Sequence, residues 1–168
     1  MPESIRYKTY NNVIETLKCL GEQHFQIQTT STGDISKVDL EKNTKFPLYH
    51  ISPISAEVNL QTKSFNFQIF VMDLVHPDED CEQYVLSDTL QIITDIISLL
   101  KHGEILYGYN TAHGEEARYW IEDDFLIEPF TERFDNDVTG WVVDIKIQIE
   151  SELDSCTIPI NSEVICVK

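Results

Sequence analysis

Two segments of this chain leave almost no choice of conformation. From Trp141 to Ile149, Trp141, Val143, Ile145, Ile147 and Ile149 alternate with Val142, Asp144, Lys146 and Gln148. From Ser64 to Val75, Phe65, Phe67, Ile69, Val71 and Asp73 alternate with Asn66, Gln68, Phe70, Met72 and Leu74. A period of two sustained this long places one apolar row on a single face of a strand and fits no helix. Residues 138–150 and 64–75 are therefore expected as strands, each apolar along one face. The other face of 64–75 turns from polar to apolar along its length, so that strand either starts exposed and ends buried or extends as an arm.

A sheet with one apolar face must be covered. The cover is expected from two helices. Residues 84–102 carry Val85, Leu86, Thr89, Leu90, Ile92, Ile93, Ile96, Ile97, Leu99 and Leu100, a wide apolar face suited to central packing, with His102-Gly103 as a stop. Residues 4–21 repeat Ile5, Val13, Ile14, Leu17 and Leu20 at helical intervals, with Ser4 as N-cap and Gly21 as stop. Phe25–Gln28 alternates like a short strand, and Thr29–Asp34 has turn composition. Residues 37–45 read as a polar surface connector. A strand is expected from Phe46, with Leu48, His50 and Ser52 on one face and Tyr49 and Ile51 on the other. Pro53 cannot donate to a ladder, so this strand is an edge, bends or breaks there. Asn59–Lys63 is the expected hairpin loop, 104–118 a loop, and Tyr119–Phe130 a further strand. The fold class is α+β: residues 1–159 as a single domain, an antiparallel sheet with two helices packed on one face, and residues 160–168 as a C-terminal extension.

The length of 168 residues suits one domain that buries a sizeable core without disulfides. Cys19, Cys81, Cys156 and Cys166 show no C-x-x-C spacing, and Met1-Pro-Glu-Ser opens no apolar leader, so free thiols in a reducing compartment are expected. No apolar run is long enough to span a bilayer.

Charge narrows the partners. Lys and Arg number 12 against 29 Asp and Glu, a net charge of −17. The excess is uneven: residues 1–75 hold 8 acidic and 7 basic side chains, whereas 104–168 hold 15 and 4. Such a chain is no phosphate-neutralising nucleic-acid binder and is ill suited to anionic membranes. Asp78, Glu79, Asp80 and Glu82 lack the glycine and late glutamate of a calcium loop. They read as a solvated loop near the positive end of a helix. Glu115-Glu116 and Glu122-Asp123-Asp124 admit a paired-carboxylate hydrolase in principle and read more simply as surface. His24, His50, His76, His102 and His113 sit in no metal-ligand frame, and no nucleophile elbow, P-loop or dinucleotide fingerprint occurs. Gly108–Gly114 lacks the lysine and helix a phosphate loop needs. Ser87 before Asp88 reads as a helix-start feature. The lone Arg133, in Phe130-Thr-Glu-Arg-Phe134, is expected to bridge a carboxylate within the subunit or across a subunit contact. No catalytic, cofactor-binding or metal residue is assigned, and no cofactor is expected.

Three blocks of residues carry a family resemblance. The first is Gln28-Thr-Thr-Ser-Thr-Gly-Asp-Ile35 ahead of Phe46-Pro-Leu-Tyr49. The second is Phe67-Gln-Ile-Phe-Val-Met-Asp-Leu74 followed by Val85-Leu-Ser-Asp-Thr-Leu90. The third is Pro129-Phe-Thr-Glu-Arg-Phe134 with Val138-Thr-Gly-Trp141, ending in Ser155-Cys-Thr-Ile-Pro159. In this order they resemble tail terminator, tail completion and neck ring proteins of tailed bacteriophages, in crAss-like and related phages. The chain departs from the pattern beyond Pro159. The resemblance implies a non-enzymatic virion protein, made in the host cytoplasm and placed at the head–tail junction. It implies a closed ring, sixfold or twelvefold, that contacts portal, a neighbouring neck ring or tail proteins and leaves a channel for DNA. A negative lumen would let the genome slide without specific binding. Two other readings compete: an acidic DNA-mimic inhibitor of a host nuclease or restriction system, and a small metal-dependent hydrolase.

Overall fold

A computed structural model describes residues 10–37, 44–75, 81–102, 119–133, 137–151 and 153. In chain order the elements are α1 (Tyr10–Gln23), β1 (Thr29–Thr32), a 3-10 turn (Ile35–Lys37), β2 (Leu48–Val58) and β3 (Thr62–Leu74), followed by α2 (Glu82–His102), β4 (Tyr119–Ile121), β5 (Ile127–Arg133) and β6 (Asp137–Glu150). The strand order is β1-β2-β3-β6-β4, with β5 beside β4 along the same edge of β6. The fold is α+β in a single domain. Among the described residues no helix is long and apolar enough to cross a membrane.

The two alternating segments form the centre of the sheet. β3 pairs antiparallel with β6 from Thr62↔Glu150 to Leu74↔Val138, which aligns their apolar rows: Phe65 faces Ile147, Phe67 faces Ile145, Ile69 faces Val143 and Val71 faces Trp141. Tyr49 and Ile51 of β2 continue the same layer against Val71 and Ile69. Both helices cover this one face. α1 brings Val13, Ile14, Leu17 and Leu20, and α2 brings Ile92, Ile93, Ile96 and Leu100, all buried in one cluster with the strand rows. Trp141 Nε1–H donates to the Leu86 carbonyl at 2.7 Å, tying α2 to β6.

Five expectations are corrected. The sheet is mixed, because β1 runs parallel to β2, from Thr29↔Leu48 to Thr32↔Ile51. The short strand is the segment read as turn: Thr29–Thr32 is rich in β-branched residues, which suit a pleated surface. Phe25, read as strand, stands on a turn and is 99% exposed. Gly21 does not stop α1, which runs on to Gln23. It lets the helix approach β2, since a Cβ there would press into the Tyr49 ring and sit 2.7 Å from Thr30 Oγ1. The expected strand 119–130 is two strands. Tyr119 pairs with Ile149 but Ile127 with Val143, so residues 122–126 leave the ladder as a bulge. That bulge holds Glu122, Asp123 and Asp124, which gain solvent by leaving it. Ser87 lies inside α2, beyond its start at Glu82, so it is no helix-start feature.

The expected helix start at Ser4 and Ile5, the loop 104–118, Gly108–Gly114 and the boundary at residue 159 lie outside the described residues. So do Asp78–Asp80, Glu115, Glu116, His76, His113, Cys156 and Cys166. Cys19 is a free thiol.

Candidate assembly surface

The face of the sheet away from the helices has two halves. At one end Leu48, Met72 and Val138 are buried, packed with Phe46, Phe70 and Phe130. Phe70 and Phe130 meet edge to face at 5.7 Å. Gly140 permits this closeness of β6 to β3, because a Cβ there would run into the Val71 carbonyl. At the other end the face is polar. Lys146 donates to Glu57 at 2.9 Å and lies 3.9 Å from Glu122. Asn66 donates to Ser55 and Glu57, and Gln68 to Asp144. The hydrogen bond from Lys146 holds the Glu57 carboxyl below its usual range, and the same bond raises the lysine. The outer face of β3 does not pass from exposed to buried: Ser64 near its start is buried, Asn66, Gln68 and Phe70 are half-buried, Met72 is buried, and Leu74 at its end is exposed.

A shallow groove of about 450 Å³ crosses the polar half, lined by Glu122, Asp124, Glu128 and Asp144 around Lys146, with Ile54, Leu126 and Val142 supplying apolar surface. The bulge forms one wall. Lys101 of α2 pairs with Asp123, holding that carboxyl below its usual range, and sits 5.5 Å over the Phe125 ring. A second hollow of about 430 Å³ lies where His24 meets Asp95 at 3.4 Å, beside the exposed Phe25.

The expected carboxylate cluster 122–124 thus converges with Glu128 and Asp144, two residues sequence patterning did not join to it. Their juxtaposition comes from the β5–β6 register and has no local signal. Among the described residues, no group of three His, Cys, Asp or Glu is placed to hold a metal ion. His50 is the other buried polar residue of note. Its Nε2–H donates to the Gly33 carbonyl at 3.1 Å, which leaves Nδ1 to accept the Ser31 hydroxyl at 2.7 Å. A serine donating to an oriented imidazole is the start of a nucleophile–base pair, but that chemistry also needs a substrate cleft. Neither residue lines the two hollows described. The pair ties β1 to β2 and holds the turn at Gly33. Burial lowers the His50 pKa, against the opposing effects of the Gly33 carbonyl and Asp34. Arg133 lies at the end of β5, opposite Asp137 in the register.

The edges of the sheet complete the surface. β1 covers β2 only at Leu48–Ile51, and the register shifts between Pro53 and Ser55, so Pro53 marks the point where β2 becomes an edge. Beyond it Pro53–Val58 is exposed throughout. Ile54 is 54%, Val58 55% and, at the hairpin tip, Leu60 79% exposed. On the opposite edge Trp120 is 49% and Leu126 74% exposed.

No protein-family model matches the chain, and no curated protein matches its sequence.

Proposed function

We propose that this protein is a non-enzymatic structural component of a tailed-phage virion. It assembles into a ring at the head–tail junction, as a tail terminator or neck connector that links portal or head to tail around a DNA channel. The reading joins the three resemblance blocks to one structural observation. Among the described residues the sheet carries open edges on both sides, and exposed large apolar side chains stand on each. Unpaired strand edges with apolar side chains are templates for a further strand, which is what a subunit built to join others needs. The partners are further copies and the neighbouring portal, neck or tail proteins, and genome DNA passes without specific binding.

The test is electron microscopy of purified virions with this protein labelled at its C-terminus. Label is expected at the head–tail vertex; virions without label would overturn the assignment. The second reading, an acidic DNA mimic that occupies a host nuclease, draws on the exposed carboxylates Glu122, Asp123, Asp124, Glu128 and Asp144. Capture of a nuclease from host lysate, blocked by competing duplex DNA, would favour it.

A further inference from the structure

We infer that the distal edge of β2, Ser52–Val58, pairs antiparallel with the β4–β5 edge of a second copy, so that the sheet continues from one subunit into the next. The inference rests on the ring reading and names its contact. Of the 11 residues of β2, the four from Leu48 to Ile51 face β1, which leaves seven with an outer edge unpaired among the described residues. That is about 23 Å of edge at roughly 3.3 Å per residue. Natural edges are guarded by proline, bulges and charge. Here Pro53 and the register shift stand at the base of the free stretch. Beyond them, Ser55–Val58 holds one charge, Glu57, and Lys146 and Asn66 already engage that carboxylate.

The registers place the two edges level with each other. Tyr119 lies opposite Ile149, Ile149 opposite Lys63, and Lys63 opposite Val58; Ile121 reaches Ala56 through Ile147 and Phe65. The directions also agree. β2 and β6 run one way, β3, β4 and β5 the other. A second copy turned about an axis along the strands therefore brings β4 antiparallel to the free stretch of β2 without sliding. By the same registers Trp120 then comes level with Glu57, and Leu126 approaches Ile54 on that face, covering apolar side chains that solvent now wets. The two surfaces differ, so the contact is head-to-tail and its repetition closes a ring or runs on as a filament.

The test uses two double variants of the full chain, Ile54→Lys with Val58→Lys and Trp120→Lys with Leu126→Lys. All four side chains are exposed, so the monomer fold is expected to hold, checked by circular dichroism. Tyr84→Lys on the exposed side of α2 serves as a control. Mass is read by light scattering across a concentration series. The wild type and the control are expected to assemble, and each double variant to dissociate with a dissociation constant raised at least about tenfold, the equivalent of ~1.4 kcal/mol. Each double variant keeps one good edge, so an equimolar mixture is expected to give heterodimers and no larger species. Double variants that assemble like the wild type would overturn this contact and leave the ring reading standing. A mixture that stays monomeric would overturn the head-to-tail pairing. A wild type that is monomeric throughout would overturn the inference, while labelled virions judge the ring reading separately.

Discussion

Three buried residues set the residue-scale tolerances. The Tyr49 hydroxyl is buried without a hydrogen-bond partner among the described residues, and burial pushes its pKa well up. An unmade buried hydrogen bond costs free energy, so Tyr49→Phe is expected to be neutral or stabilising by about 1 kcal/mol in urea unfolding. Gly21 faces the same ring. Gly21→Ala would drive a methyl into Tyr49 and is expected to destabilise by about 1–3 kcal/mol, despite the better helix propensity of alanine. His50 predicts a pH dependence. Its folded pKa lies below the ordinary 6.5, so the unfolded chain takes up the proton first. Its contribution to stability is full above the unfolded value and is lost as pH falls through it toward the folded pKa. Urea midpoints taken from about pH 7.5 down to about 5.5 should decline, and His50→Gln should flatten that decline. A slope unchanged by the substitution would assign the pH dependence to other groups.

Elements differ in how strongly they are held. α2 lies over β3 and β6 and contributes Ile92, Ile93, Ile96 and Leu100 to the main core. Ile96→Ala should cost about 2–5 kcal/mol by leaving a cavity between helix and sheet. The bulge between β4 and β5 is held by Lys101 and by Phe125. The strands and α2 were legible in the sequence because each has an apolar row of the right period, and a period survives any tertiary arrangement. The short elements were not. Thr29–Thr32 has strand-forming side chains but too few residues to show a period, so its turn-like composition misled. The 122–126 break was hidden because the apolar residues on either side fit one continuous strand; the two-residue register slip that separates them belongs to the pairing with β6.

At the scale of the whole molecule, charge is the testable property. The exposed carboxylates Glu122, Asp124, Glu128 and Asp144 should keep the protein from binding duplex DNA at physiological salt. Changing all four to lysine should create salt-sensitive DNA binding and, if the proposed ring at the head–tail junction holds, slow genome ejection; ejection at the wild-type rate would sink the lumen hypothesis. The amino-acid pattern was enough to settle the α+β class, the core rows of β3 and β6, the covering faces of α1 and α2 and the acidic character of the second half. These follow from periodicity and composition, which are local. The parallel pairing of β1, the split of the edge strand, the Ser31–His50 contact and the gathering of Glu122, Glu128 and Asp144 came from the folded chain. Each depends on which residues lie opposite each other across a ladder, and that register is set by how the whole apolar layer closes under two helices.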